Sequence, residues 1–311
     1  MKKKKGYLVF YFLLGILLLL IYFVGCQADF IAGTLAFHPP KYPKGRWESW
    51  NKTDDVSMEV SFRNTKGQML VGRYFEYQKI QHIIDDHLSN TDPPDNTTQN
   101  STTQNSTTQG SILYCHGNGE NISYLVDLAL QLSCDLRCNV LIFDYAGYGK
   151  SEGKPTTKGI LDDGRAARNW LAAQDGISCE QVIVYGQSLG GSVAVDIAAE
   201  DGAGGLIVES SFTSLSDMGR QLFPVLPVNY LLRERLASVE KISNVTCPVF
   251  ISHSKSDNVI PFSQGQRLFD NANEPKIFYI PPSGYDYHSA PHCKEHREKL
   301  KEFINSIQII K

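Results

Sequence analysis

The residues best placed to do chemistry are Gly186-Gln187-Ser188-Leu189-Gly190, which follow the apolar run 182–185 and open a helical pattern. Glycines two positions before and after a serine suit a sharp strand-to-helix turn, where side chains would collide. Such a turn holds the hydroxyl above the sheet on strained backbone angles. The hydroxyl becomes a good nucleophile only when a base takes its proton. The base in turn needs a carboxylate to fix its tautomer and stabilise its cation. Asp257 lies on the loop after the apolar run 249–252, and His288 on the loop after 277–280. That chain order of serine, acid and histidine is the one such a turn uses. Glu209, after 206–208, is the rival acid. His292 and His296 are rival bases at the start of the last helical stretch, and His253 reads as the close of a strand.

An oxyanion formed at Ser188 would need fixed N–H donors. The Leu189 amide, directly after the serine, is one. The other is expected from His116-Gly117-Asn118-Gly119 after the apolar run 112–115, with Asn118 as the candidate. Asn121-Ile122-Ser123 is formally a glycosylation sequon, but at a helix start Asn121 is expected to cap instead. His292-Cys293-Lys294-Glu295-His296 matches an inverted zinc-protease pattern. No third ligand stands out, so it reads as a polar helix start, and neither metal nor cofactor is expected.

The elements that must position these groups are legible as an alternation. Short apolar runs at 112–115, 140–143, 182–185, 206–208, 249–252 and 277–280 are separated by helical patterns at 122–132, 158–173, 189–199, 263–271 and 292–307. Continuous apolar strands alternating with helices predict an α/β fold, a mostly parallel sheet covered on both faces. Ligands then bind beyond the carboxyl ends of the strands, where the candidate residues fall. A hairpin is expected before this core, at 58–62 and 69–75 around Thr65-Lys66-Gly67.

With 311 residues, 42% hydrophobic and 20% charged, the chain can bury one sizeable core. A net charge of −3 offers no basic surface for nucleic acid. Residues 6–25 contain no charged side chain, follow four lysines, and are long enough as a helix to cross the ~30 Å hydrocarbon core. They are expected to form an uncleaved signal-anchor with a cytoplasmic N-terminus, residues 1–26 in all. A cleaved signal peptide or a lipoprotein box at Cys26 is the competing reading. Residues 27–54 would be an extended juxtamembrane connector and 55–311 the main domain. Within it, 89–110 is nearly devoid of apolar residues and is expected to be a disordered polar insert. The insert carries sequons at Asn96, Asn100 and Asn105, and Asn51 and Asn244 begin others, so a glycoprotein is one expectation. Seven cysteines could pair outside the cytoplasm, although Cys115 reads equally well as a buried thiol.

Together these motifs resemble the α/β-hydrolase superfamily from residue 111 to about 307. The resemblance is greatest to the single-pass membrane group that includes alpha/beta hydrolase domain-containing protein 13 and its bacterial relatives. The segments that carry it are SILYCHGNGENIS (111–123), NVLIFDYAGYGKSEG (139–153), VYGQSLGGSVA (184–194), VESSFTSL (208–215) and CPVFISHSKSDNVIPF (247–262). It implies a Ser188, Asp257, His288 triad, an oxyanion hole at Asn118 and Leu189, and a short lid at 212–236. Two positions depart from the group: Ala146 stands where relatives carry arginine, and Asp286-Tyr287-His288-Ser289 replaces Gly-His-Asn-Asp. The expected function is hydrolysis of acyl esters or thioesters, on lipid-like or acylated-protein substrates, outside the cytoplasm. A serine peptidase of the same fold and a non-catalytic binding protein are the alternatives.

Overall fold

The computed structural model describes residues 37–91, 108–222, 236–282 and 293–309. The apolar span 6–25, most of the polar insert, the middle of the expected lid and His288 lie outside the described residues. No helix among the described residues is long and apolar enough to cross a membrane.

The apolar runs become the interior of an eight-stranded sheet. Its strands are β1 (Met58–Arg63), β2 (Met69–Phe75), β3 (Gly110–Cys115), β4 (Cys138–Phe143), β5 (Ile183–Gln187), β6 (Gly205–Glu209), β7 (Val249–Ser252) and β8 (Lys276–Tyr279). Their spatial order is β1-β2-β4-β3-β5-β6-β7-β8. The β1–β2 hairpin joins the sheet antiparallel to β4, and every pairing from β4 to β8 is parallel. From β3 the chain steps outward to β4, then returns to lay β5 on the other side of β3. That reversal is a topological switch point, where the loops after two adjacent strands diverge and leave a crevice. The loops concerned carry His116 to Gly119 and Ser188.

Side chains alternate across the sheet, and each face has its own helices. On one face Leu113, Leu141, Val184, Val208 and Ile251 pack with α4 (Thr157–Asp175), α5 (Leu189–Glu200) and α8 (Phe262–Asn271). On the other, Ile112, Ile142, Tyr185, Ile207 and Phe250 meet α3 (Val126–Leu136) and α9 (Lys294–Ile309). The remaining helices are α1 (Trp47–Asn51), α2 (Tyr77–Thr91), α6 (Leu215–Leu222) and α7 (Ser238–Lys241). Local chemistry sets the ends. The Thr156 hydroxyl caps α4 by accepting from the Gly159 N–H at 2.9 Å, and Gly176 closes it at φ 66°.

Three sequence expectations need correction. The connector is not extended throughout, because α1 forms within it and buries Trp50. The polar insert is shorter than 89–110, since α2 runs to Thr91 and Gly110 already belongs to β3. Only Tyr77 and Ile80 of the early α2 turns are buried, so the apolar period was too brief to mark a helix. The helix expected at 122–132 opens instead as a 3-10 turn, Ile122–Tyr124, followed by α3. All six described cysteines are free thiols, and Cys115 is fully buried.

Candidate active site

Ser188 sits between β5 and α5 at φ 51° and ψ −115°, a backbone conformation that L-residues rarely adopt. The surroundings hold it there. Its N–H donates to the Glu209 carbonyl at 2.9 Å, and its carbonyl accepts from the Ser211 hydroxyl at 2.7 Å. A Cβ on Gly186 would collide with the backbone of Gly190 and Gly191, and one on Gly190 with the carbonyls of Cys115 and His116. The glycine spacing read from the sequence therefore has a steric cause. The second glycine also lets the β3 loop approach: a Cβ on Gly117 would lie 3.5 Å from the Ser188 Cβ.

Leu189 is the first residue of α5, where backbone N–H groups have no intrahelical partner and the helix dipole favours negative charge. Asn118 lies on the loop packed against Ser188. Its Oδ1 accepts from the Tyr148 hydroxyl at 2.8 Å and from the His38 N–H at 3.0 Å. These bonds fix the loop that offers the Asn118 backbone. Asn121 caps the 3-10 turn by accepting from the Ser123 N–H at 3.1 Å. It is fully buried, and its Nδ2 donates to the carbonyls of Pro40 and Lys44, which leaves no room for a glycan.

Asp257 occupies the loop after β7. Its Oδ1 accepts from the amides of Val259 at 2.8 Å and Ile260 at 2.9 Å. Its Oδ2 is buried and has no hydrogen-bond partner among the described residues. His253 comes within 3.5 Å of that oxygen, but its Nε2–H donates to the Ile260 carbonyl at 2.9 Å, and burial pushes its pKa down. His253 is thus a neutral strut rather than the cation of an ion pair.

Glu209 and His296 are drawn into a separate cluster under α9. Glu209 is fully buried, accepts from the Tyr185 hydroxyl at 2.5 Å and lies 3.3 Å from the His296 Nε2. The His296 ring stacks on Tyr279 at 5.3 Å. Burial, only partly offset by the Tyr185 bond, pushes the Glu209 carboxyl up to about 8. The protonated acid then fills a packing position on the α9 face of the sheet. Glu209→Ala would strand the Tyr185 hydroxyl and leave a cavity. It is expected to lower unfolding free energy by about 2–3 kcal/mol in urea titrations. A change near zero would show that the cluster contributes nothing to stability. Among the described residues no group of histidine, cysteine and carboxylate side chains could hold a metal.

Sequence reasoning missed the polar layer beneath the loop after β3. Glu120 Oε1 accepts from the Gly117 N–H at 2.9 Å. His116 Nδ1–H donates to the Gly117 carbonyl at 2.7 Å, and its Nε2 lies 3.6 Å from Asp144 Oδ1. Burial pushes His116 down to about 4 and Asp144 up to about 8, so both are neutral near pH 7 and are not an ion pair. Burial also lifts Glu120 to about 7, against the pull of the Gly117 hydrogen bond. A carboxyl raised in this way is neutral below that pH and anionic above it. Its charge would then oppose a negative oxygen forming beside the same loop. Ester turnover is therefore expected to fall above about pH 7, and Glu120→Gln to flatten that alkaline limb. A limb unchanged in the variant would assign it to Asp144. The signal was present in the sequence, a lone acid within HGNGEN, but nothing about its spacing marked it.

Two hollows among the described residues lie away from Ser188. One is lined by Gln109, Ser111, Asn139 and Asp175 at the amino ends of the strands, and the other by Asp135, Arg297 and Lys301 beside α9.

Residues 112–275 match the alpha/beta hydrolase family. Among curated proteins, YfhR of Escherichia coli is 32% identical over 224 residues, 70% of this chain and 74% of its own length. Human alpha/beta hydrolase domain-containing protein 17B is 34% identical over 197 residues, 63% of this chain and 66% of its own. An uncharacterised Mycobacterium tuberculosis protein is 37% identical, but the match spans 55% of this chain and only 61% of that relative. These matches support the superfamily and not the protein 13 group in particular. Among solved structures, the Pyrococcus furiosus esterase Pf2001 superposes with a TM-score of 0.63 over 86% of this chain and 98% of its own, at 16% identity. At that identity the likeness concerns the fold.

Proposed function

This chain belongs to the alpha/beta hydrolase family, and on that premise we propose that it is a membrane-anchored serine hydrolase acting on acyl esters or thioesters through an acyl-enzyme. One observation carries the reading: a serine held in strained geometry at a helix N-terminus, with a hydrogen-bonded loop packed against its Cβ. In this mechanism the His288 imidazole takes the Ser188 proton as Oγ attacks the carbonyl carbon. The carbonyl π electrons move to oxygen, and the resulting negative charge is met by the Leu189 and Asn118 amides. The tetrahedral intermediate collapses, the carbon–oxygen or carbon–sulfur bond breaks, and His288 protonates the leaving group. Water, deprotonated by the same imidazole, then attacks the acyl-serine and releases the acid. Asp257 Oδ2, buried and open, is the acceptor assigned to the imidazole N–H.

The apolar span 6–25 supports the membrane reading, and the Leu- and Pro-rich stretch 212–236 supports an apolar acyl group. The test is to treat the purified full chain with a fluorophosphonate, map the adduct by mass spectrometry, and compare acyl-ester with peptide substrates. Ser188 should carry the adduct, and esters should turn over faster than amides. An adduct elsewhere, or faster peptide cleavage, would replace this reading with another hydrolase chemistry or the peptidase alternative.

A further inference from the structure

The chain enters the domain across the mouth of the candidate site. His38 donates its N–H to Asn118 Oδ1, and Arg46 donates its N–H to Ser123 Oγ at 2.8 Å. Between them, the carbonyls of Pro40 and Lys44 accept from Asn121 Nδ2. The Pro40 carbonyl also accepts from the Gly149 N–H at 3.1 Å, and Tyr42 donates its N–H to the Gly149 carbonyl at 2.9 Å. Residues 38–46 are thus a strap sewn to the loops after β3 and β4, on the edge of the sheet that carries Ser188.

What the strap shows to solvent has a definite character. Tyr42 is 57% exposed and packs edge-on against Trp47, with ring centroids 5.3 Å apart. Tyr124 is 39% exposed, with the Arg46 guanidinium 5.8 Å from its ring centroid. Lys150 Nζ lies 5.1 Å from the Trp47 ring. Lys41, Lys44 and Arg46 are exposed, and Glu48 is the only carboxylate between residues 38 and 52. Lys150 is paired with Glu59 at 2.8 Å, whereas neither Lys44 nor Arg46 has a carboxylate partner among the described residues. Amphipathic rings mixed with unpaired cations match the headgroup layer of a bilayer, where rings sit at the polar–apolar boundary and cations meet phosphates.

We propose that the strap and the aromatic and basic side chains beside it rest on a phospholipid surface, so that the crevice at Ser188 opens onto the bilayer. The proposal rests on the anchor reading above and deepens it. Eleven residues separate the end of the apolar span from Phe37. A tether of that length reaches at most about 40 Å, and the strap is the first part of the domain it meets. An acyl chain leaving the lipid would then enter the site directly, and the substrate class becomes a membrane-embedded acyl ester or thioester rather than a soluble one.

The test uses the full chain in phosphatidylcholine vesicles, with and without phosphatidylglycerol, and reads flotation and tryptophan emission. The three tryptophans are Trp47 on this face, Trp50 buried beneath it, and Trp170 packed against Phe62 and Tyr74 on a different face. Lipid brominated near the headgroup should quench part of the wild-type emission, and that loss should vanish in Trp47→Phe. Lys44→Glu combined with Arg46→Glu should reduce the quenching, most in vesicles containing phosphatidylglycerol. This second variant keeps Trp47 as the reporter if Trp47→Phe fails to fold. A chain that floats with unquenched tryptophan would overturn the proposal alone and leave the face to a protein partner. A chain that does not float would overturn the anchor reading and this proposal together.

Discussion

In the Ser188→Ala protein, ester turnover is expected to fall by about 10⁶-fold, to a level set by the remaining oxyanion donors, and fluorophosphonate labelling to vanish. The reason is that the two jobs at this turn are separable. The backbone of residue 188 is bound to Glu209 and Ser211, and those bonds survive the substitution. Alanine replaces a hydroxyl with hydrogen and adds no bulk at the crowded elbow. Unfolding free energy should therefore stay within about 0.5 kcal/mol of wild type. A large loss of turnover at unchanged stability assigns chemistry to the hydroxyl. Turnover and labelling equal to wild type would end the nucleophile reading and move the chemistry to another residue, whereas a wild-type chain with neither turnover nor labelling would favour a binding protein on this scaffold.

How much of this was readable beforehand depends on the kind of signal. The strands β3 to β7 were visible because both faces are covered, which makes each a continuous apolar run between turns, and β8 by its apolar run alone, since no residue of that edge strand is fully buried. The elbow was visible because its steric demand writes glycine at fixed positions, and the observed collisions at Gly186 and Gly190 are that demand. Asn121 could be read as a cap because capping is local. Mostly exposed helices such as α1 and α2 were not readable, since few of their described residues are buried. Nor was the layer formed by Glu120, His116, Asp144 and Tyr148. Those groups meet through the switch-point topology, across the loops after β3 and β4, and no sequence period connects them. The strap was the furthest from view. Pro39, Pro40 and Pro43 announced an extended connector, but residues 41–44 close a turn, with the Lys44 N–H donating to the Lys41 carbonyl at 2.9 Å, and its destination over Asn118 depends on tertiary hydrogen bonds alone.

Asp257→Asn is expected to lower kcat by about 10⁴-fold with little change in KM and with folding intact. The two carboxylate oxygens have different tasks. Oδ1 accepts from the Val259 and Ile260 amides and shapes the loop, while Oδ2 is buried and open. An asparagine keeps its carbonyl toward the two amides, because turning its NH2 there would set donor against donor. The NH2 must then take the place of Oδ2. A donor at that position cannot accept an imidazole N–H, so the ring is left in the wrong tautomer to receive the serine proton. Glu209→Gln is the control: it preserves an acceptor for Tyr185 in a cluster that faces α9, and its kcat should remain within about tenfold of wild type. The reverse pattern, with activity surviving at Asp257→Asn and lost at Glu209→Gln, would move the acid from the loop after β7 to the end of β6. The base would then have to be sought near His296.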